Sequence, residues 1–323
     1  MNSVEIGTAT NYSDLLDKLV TFAVGTTWWT QLQHDASMTV LQGSGAGTDE
    51  IIVAFRKYSD VPSDTYGWDI NGYTGYTGGL GFLSQPGAIP ASPVASAYPR
   101  MPLWNSSIPY WFIVNSRRIV VVAKVSTVFM MAYAGFILPY ATPGQWPYPL
   151  FVGGTTWEGS ASTKRFSSAT NDDYAFWRDE DNSSGSGMSL KQSSFKLRHP
   201  GGQWRSTGTA FVSPFSAVLI QSTGMYPYNL AVMSGANFAG LHVKNLANNL
   251  DGSYTLIPIH YRESVSGTGN LDSGLMGELD GIYYVSGQSN APENVITVGL
   301  TNYLVVPNIF RTAIDHFCAV VLG

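Results

Sequence analysis

The sequence predicts an α+β protein that is predominantly β. An N-terminal helix packed on a sheet is expected first, followed by antiparallel, β-sandwich-like portions with long loops rich in Gly, Pro and Ser. Apolar residues follow helical spacing in one stretch, residues 11–25, whereas many other apolar runs have strand length and are rich in β-branched and aromatic residues. The 34 glycines and 17 prolines separate these runs. No internal repeat of fixed period is present, which argues against a solenoid or a propeller.

The first segment, residues 1–78, is predicted to be an α+β unit. Its helix is expected to begin near Asn11 or Ser13, which are candidate caps, and to end at Gly25. Leucines and other apolar residues recur at helical spacing from Leu15 to Ala23. This stripe predicts that one face of the helix packs against a sheet.

Three strands are predicted after this helix. Residues 38–41 and 51–55 form a predicted hairpin joined by the loop GSGAGTDE. The glycines of that loop suggest a nucleotide-binding loop, but a strand follows them instead of a helix and no Gly-Lys-Ser/Thr occurs. A flexible hairpin loop is therefore favoured. Residues 66–70 alternate large apolar side chains with glycine and polar ones, which predicts a half-buried strand.

The second segment, residues 79–154, contains the most readable hairpin of the chain. Tyr110–Val114 is one predicted arm, Asn115–Ser116 is the turn, and Arg117–Val125 is the returning arm. The returning arm carries the apolar residues Ile119–Val122 in succession. An unbroken apolar run of strand length predicts a central strand that is buried on both faces.

Two extended stretches flank this hairpin. Residues 85–103 contain five prolines and predict an extended connection that leads into the hairpin. Residues 139–151 contain four prolines, which cannot donate to a sheet ladder, and they predict an extended arm that lies over a surface. The aromatic residues of this arm are Tyr140, Trp146, Tyr148 and Phe151.

The remaining residues divide into two predicted segments. Residues 155–213 lack hydrophobic periodicity and are dominated by Ser, Thr, Gly, Asp and Asn, which predicts an exposed polar insertion. Residues 214–323 are predicted to be a β-rich portion that packs with the central hairpin and closes with a strand in preference to a short helix. Strand candidates in these two segments are 195–197, 209–212, 217–221, 230–233, 254–261, 278–285, 295–298 and 303–306.

The composition favours a chain whose surface is covered by neighbours. Hydrophobic residues make up 44% of the chain and charged residues only 12%, so much of the exterior is expected to be apolar or neutral. The net charge of -5 and the pI of about 5.5 leave no electrostatic footprint for nucleic-acid binding. An ordinary β-protein rich in Tyr and Gly stays open as the alternative.

Cysteine usage and apolar runs bear on the compartment. Cys318 is the only cysteine, so no intrachain disulfide can form and a buried thiol is expected. The first residues have neither a basic region nor an apolar core, which predicts no secretory signal. The longest apolar run, Val128–Leu138, is shorter than the about 20 residues that span a bilayer. The sequence therefore predicts a soluble protein with no membrane partner.

No catalytic, cofactor or metal site is expected. The acidic stretch 172–181 lacks the Gly and Glu positions of a calcium loop, and no Gly-x-Ser-x-Gly lies between a strand and a helix. Two carboxylate pairs, Asp172 with Asp179 and Glu278 with Asp280, suggest a glycosidase, which leaves an enzyme as the minor alternative. The histidines lack metal-ligand spacing; they are His34, His199, His242, His260 and His316.

Six stretches of the sequence are distinctive enough to compare with a known group of proteins. They are PLWNSSIPYWF, RRIVVVAKVS and AYAGFILPYATPGQWPYPL in the second segment, and GELDGIYYVSG, ENVITVGL and YLVVPNIFRT near the end. The sequence of these stretches resembles that of a group of structural proteins of tailed-bacteriophage virions. The resemblance implies a neck, collar, tail or baseplate component, assembled in the host cytoplasm, whose partners are copies of itself and other virion proteins. For residues 1–78 it implies a ring-forming sheet of the tail-terminator or neck type.

The aromatic side chains of the second segment have two interpretations. In the first, they stack on sugars, and the chain is a receptor- or glycan-binding tail or baseplate protein with or without polysaccharide-degrading activity. In the second, they anchor a neighbouring subunit. The second is favoured, because prolines preset an extended arm and lower the cost of docking it. The arginines of the hairpin turn either solvate it or pair with acids across a subunit contact. The predicted inter-subunit contacts are Trp104, Trp111, Arg117, Arg118, Tyr140, Trp146, Tyr148 and Phe151.

Overall fold

The computed structural model describes residues 2–90, 98–157, 195–205, 224–226, 255–264, 273–307 and 317–323. The strand candidates 209–212, 217–221 and 230–233, the acidic stretch 172–181, His242 and His316 lie outside these residues. The elements in chain order are β1 (Ser3–Ala9), α1 (Tyr12–Gly25), β2 (Trp29–His34), β3 (Thr39–Gly43), β4 (Ile51–Asp60), a 3₁₀ turn (Val61–Ser63), β5 (Thr65–Tyr73), β6 (Pro99–Leu103), β7 (Ile108–Val114), β8 (Arg118–Val125), β9 (Val128–Phe136), β10 (Leu138–Pro139), β11 (Leu150–Gly153), β12 (Thr156–Trp157), β13 (Phe195–Arg198), β14 (Trp204–Arg205), β15 (Gly224–Tyr226), β16 (Ile257–Ser264), β17 (Ser273–Val285), β18 (Val295–Val298), β19 (Thr301–Pro307) and β20 (Phe317–Val321).

The predicted N-terminal helix is confirmed as α1. Asn11 is its N-cap: the side-chain Oδ1 accepts hydrogen bonds from the backbone N–H groups of Ser13 and Asp14, at 2.9 and 3.0 Å. The apolar stripe from Leu15 to Ala23 is buried, as the helical spacing predicts. The helix packs on strands of two sheets, β2 and β1.

The strands form three antiparallel sheets. The N-terminal sheet has the order β12-β6-β5-β4-β3-β2, and the central sheet has the order β1-β7-β8-β9-β11-β13-β14. The C-terminal sheet has the order β15-β16-β17-β20-β19-β18, with β10 also paired to β17. The predominantly β, α+β fold class predicted from the sequence is therefore confirmed.

The central sheet is buried on both faces, and this makes the molecule a three-layer sandwich. Val121 and its neighbours on one face of β8 pack with the helix and the N-terminal sheet. Val120 and Val122, on the opposite face, pack with Ile282 and Val320 of the C-terminal sheet. The unbroken apolar run in the returning arm is thus explained, since successive side chains enter two different cores.

The turn of the central hairpin lies one residue further along the chain than predicted. Val114 pairs with Ile119, and the backbone N–H of Asn115 donates to the carbonyl of Arg118 at 3.0 Å. The side-chain Oδ1 of Asn115 accepts from the backbone N–H groups of Arg117 and Arg118, at 2.8 and 2.9 Å. This asparagine therefore closes the turn instead of forming its centre.

The prediction of a half-buried strand at 66–70 is wrong, because every residue of β5 is buried. Asp69 is held by two arginines: Arg56 Nη2 lies 2.8 Å from Oδ2, and Arg100 Nε lies 2.7 Å from Oδ1. Asn71 donates through Nδ2 to the carbonyl of Phe82 at 3.2 Å. The loop after β5 folds back over the outer face of the sheet, so the polar residues of the alternation are paired and buried.

The sheets draw strands from more than one of the four predicted segments. Strand β1, from the first segment, pairs along its whole length with β7 of the second. Strand β13, from the predicted polar insertion, pairs with β11 in the central sheet. The extended connection 85–103 ends in β6, which pairs with β5. The described parts of the first and third segments therefore share the central sheet with the second.

The C-terminal strands at 278–285, 295–298 and 303–306 are confirmed, and the predicted closing strand is β20. Strands β17 and β18 do not pair across the polar turn between them, because β20 and β19 lie between them in the sheet. Among the described strands, β18 is consequently the edge of the C-terminal sheet. Cys318, on β20, is fully buried, as expected for the lone thiol, and burial raises its pKa.

Candidate functional site

The tip of the central hairpin touches all three sheets. On the side of the N-terminal sheet, Trp29 donates through Nε1 to the carbonyl of Asn115 at 2.7 Å. The backbone N–H of Gly45, in the glycine-rich loop, donates to the carbonyl of Ser116 at 2.8 Å. That loop is therefore a structural clamp on the hairpin tip.

Arg118 joins the central sheet to the C-terminal sheet. Its side chain is 1% exposed, and its Nε lies 3.3 Å from Oδ2 of Asp280 on β17. The same carboxylate oxygen accepts a hydrogen bond of 2.6 Å from Nδ2 of Asn115. Gly281 has a φ of +72°, and a Cβ at this position would overlap Nη2 of the arginine. A glycine is needed here both for the backbone conformation and for the space.

Arg117 points to the other side of the tip. Its Nη1 lies 3.5 Å from Oδ2 of Asp49, and its guanidinium lies over the ring of Phe136 at 5.8 Å from the centroid. The side chain is about a quarter exposed. Both arginines of the turn thus pair with acids, as one of the two interpretations supposed, but these acids belong to the same chain.

Three of the six predicted aromatic contacts lie inside the fold. Trp111 and Phe151 are buried in the core between the central and C-terminal sheets. Trp146, 1% exposed, enters the same core and donates through Nε1 to the carbonyl of Arg198 at 2.9 Å. The arm around it is therefore an internal strap and not a free extension. In this conformation these three rings and Arg118 are closed to a neighbouring subunit.

Two further predicted contacts are half-buried. Trp104 packs against the core of the N-terminal sheet and donates through Nε1 to the carbonyl of Ser107 at 3.0 Å. The ring of Tyr148 lies 5.3 Å from the guanidinium carbon of Arg198. Each leaves part of its ring accessible at the surface.

Tyr140 is the exposed aromatic of the arm, with 52% of its surface accessible. Its hydroxyl lies 2.8 Å from Nδ1 of His260 and donates to Oε2 of Glu278 at 3.1 Å. Partial burial, followed by the nearby carboxylate, raises the pKa of Tyr140 to about 12. Burial lowers the pKa of His260, against the opposing effect of Glu278. This cluster fastens the arm to β16 and β17.

Of the two carboxylate pairs suggested for catalysis, Glu278 with Asp280 lies within the described residues, and both of its members make internal contacts. Glu278 accepts from Tyr140, whereas Asp280 pairs with Arg118 and Asn115. Among the described residues, no group of three or more His, Cys, Asp or Glu side chains is arranged to hold a metal ion.

A surface groove beside α1 is also lined by carboxylates with partners. Tyr110 donates to Glu5, and the backbone N–H of Thr10 donates to Asp14, both at 2.7 Å. The third carboxylate of the groove, Asp17, lies 3.3 Å from Nε2 of His34. These acids stabilise the start of the helix and its contact with the central sheet.

Among the described residues, three of the eight exposed large apolar side chains lie on the hairpin of β18 and β19, which we call the edge hairpin (residues 295–307). Val295 and Val298 are 55% and 50% exposed, and Leu300, in the turn, is 99% exposed. Gly299 has a φ of +64° and precedes this leucine, as in a type II′ turn. The sequence predicted strands here but not their place at an edge; the available signal was the pair Gly299-Leu300 between two β-branched residues.

Comparisons with known proteins add no identification. No helix among the described residues is long and apolar enough to cross a membrane. A scan of protein-family models and a search of curated proteins found no match to this chain.

Proposed function

We propose that this chain is a structural, non-catalytic subunit of a tailed-phage virion that forms or joins a symmetric ring at the neck, tail end or baseplate. The proposal combines the sequence resemblance with one structural observation, the exposed and apolar edge hairpin. Monomeric proteins usually protect sheet edges and rarely expose such side chains together. A subunit that is covered by its neighbours in an assembly has no need of that protection.

The contacts that hold this assembly differ from those expected from the sequence. The buried rings of the arm stabilise the subunit itself, so neighbours meet its exposed apolar residues and its open sheet edge. A ring closes when one face of a subunit meets a different face of the next. The exposed large apolar residues are Ile6, Val24, Val61, Leu80, Tyr140, Val295, Val298 and Leu300.

A second candidate function is glycan binding, and one observation favours it. Sugars stack on exposed ring faces, and Tyr140 presents such a face beside the carboxylate of Glu278. The other aromatic rings proposed to stack on sugars are half-buried or buried, so Tyr140 is the one exposed ring on which a sugar could stack. A glycan array with the wild type and Tyr140→Ala separates the two functions. Glycan binding by the wild type that is lost in the variant would support the glycan-binding function.

The virion role is tested on particles and on the purified chain. Mass spectrometry and immunogold labelling of purified virions should find the chain at a fixed copy number and at one place on the particle. Mass photometry of the purified chain over a concentration series should find multimers. A chain that is absent from particles and stays monomeric at every concentration would overturn the proposal.

A further inference from the structure

Strand β18 presents unpaired backbone groups to the outside. Asn302, which faces Thr297 in the hairpin, uses its own N–H and carbonyl to bind Gly323 and Leu322, at 3.0 and 2.8 Å. Thr297 is therefore in a pair without mutual backbone hydrogen bonds, and its N–H and carbonyl point away from β19. By the same alternation those of Val295 point outward too. Among the described strands, β18 pairs with β19 and with no strand on its other side.

Apart from its length of four residues, this edge lacks the features that normally block strand addition. Residues 295–298 read Val-Ile-Thr-Val, with no charge, no proline and no bulge against β19. The nearest charged residue of the hairpin, Glu293, is already paired with Lys124. Ile296 packs against the small apolar cluster on the outer face of the C-terminal sheet, and Val298 lies on the same side of the strand.

We propose that β18 pairs antiparallel with β18 of a second copy of this chain, about a two-fold axis at Thr297. In this register the N–H and carbonyl of Thr297 bond to those of the partner copy's threonine, and Val295 faces the other copy's glycine at the turn. This contact is isologous and joins two copies, so closure of a ring would use the other exposed apolar residues. The inference rests on the edge strand alone and does not depend on the virion role.

The register also pairs the apolar side chains on one side of the strand, Ile296 and Val298. Ile296 faces the valine that the second copy carries at position 298, and the reverse pair forms on the other side of the axis. Aliphatic pairs directly opposite each other stabilise antiparallel strands. Ile296 and Val298 of the two copies together connect the apolar clusters on the outer faces of the two C-terminal sheets into one continuous patch.

The self-complementary register favours a second copy, and charge does not oppose it at this edge. Each chain carries a net charge of -5, so two copies repel each other unless they meet at a neutral surface. The edge from Val295 to Leu300 is such a surface, since it contains no ionisable side chain. A four-residue strand pairing is small, and we therefore expect a dimer that dissociates on dilution.

Cross-linking tests the register. Cys318 is buried, so Thr297→Cys adds a single accessible thiol, and two such thiols lie opposite each other across the proposed axis. A short bis-maleimide should convert the Thr297→Cys protein to a covalent dimer at concentrations where the matched control Val61→Cys, exposed elsewhere, stays monomeric. Equal cross-linking of the two variants, or none in Thr297→Cys, would overturn the proposal.

A proline variant tests the strand pairing without a cross-link. Thr297→Pro removes an outward N–H and leaves the backbone bonds between β18 and β19 in place. Sedimentation velocity should find dimerisation weakened by about tenfold or more, because two intermolecular hydrogen bonds are lost. A folded proline variant that dimerises as well as the wild type contradicts the pairing. Dimerisation of the wild type that Thr297→Pro weakens, together with absence of the chain from virions, would contradict only the virion role.

Discussion

Arg118 Nε lies 3.3 Å from Oδ2 of Asp280, and this ion pair joins the middle layer of the molecule to the C-terminal layer. The guanidinium is also within 3.4 Å of the carbonyl of Ile113 and of Oδ1 of Asn2. One buried side chain from the hairpin tip therefore contacts the first residues of the chain, the preceding strand and β17. The tip is a point at which distant parts of the sequence meet.

Removing this arginine should destabilise the protein strongly. In Arg118→Met the carboxylate of Asp280 keeps Asn115 as its one partner among the described residues, and loss of one member of a buried pair costs about 3 kcal/mol. The adjacent Arg117→Met is the matched control, with an expected loss below about 1 kcal/mol because its ion pair is partly exposed. Urea denaturation gives both free energies of unfolding. Equal losses for the two variants would contradict the assigned role of Arg118.

A charge in the middle layer should prevent folding. Val121 is fully buried between the central and N-terminal sheets, so Val121→Asp places an unpaired carboxylate in a dry core. Val295→Asp makes the same change at an exposed strand position and should express as a soluble, folded protein. Solubility and near-UV circular dichroism distinguish them. Native-like Val121→Asp would refute the placement of β8 in the centre of the sandwich.

The strap can be tested through Trp146. Its ring is buried within the chain, so Trp146→Ala should lower the free energy of unfolding of the monomer by about 3 to 5 kcal/mol. Trp104→Ala removes a half-buried indole and should cost clearly less. The comparison is made by denaturation of dilute, monomeric protein. An unchanged stability in Trp146→Ala would indicate that this ring serves a partner and not the fold.

Stability should rise with pH above about 8 through Lys196. Burial lowers the pKa of this lysine to about 8, whereas an unfolded lysine has a pKa of about 10.4. Between these values the unfolded chain binds the proton and the folded chain does not, so raising the pH favours the folded state. Lys196→Met should flatten this rise when unfolding is followed from pH 7.5 to about 9.5. The buried thiol of Cys318 acts in the opposite direction over this window, but it does so equally in both proteins. The same pH dependence in the wild type and in Lys196→Met would therefore contradict the burial of a neutral lysine.

Local signals made much of the fold predictable. Asn11, the leucine stripe and Gly25 set the helix, because caps and helical spacing act within a few residues of one another. The apolar run around Val121 indicated a strand covered on both sides, since no strand with one wet face tolerates four such residues in succession. These features depend on neighbours in sequence, which the sequence displays directly.

Long-range pairing was not predictable in the same way. Asp69 looked like the exposed half of an alternation, but Arg56 and Arg100 neutralise it from other strands. The aromatic spacing around Trp146 was typical of a docking arm, and only its contact with Arg198 shows that it closes onto its own chain. Likewise, the sequence of β18 indicates a strand, but its position at an edge depends on how β17, β19 and β20 order themselves.

Hydrogen–deuterium exchange at single-residue resolution tests most directly the claim that an open sheet edge is covered by a second copy. We expect the amides of Val295 and Thr297 to exchange rapidly in dilute protein and to become protected as the concentration rises, while the amide of Val121 stays protected throughout. Rapid exchange of both edge amides at every concentration at which multimers are present would contradict the account.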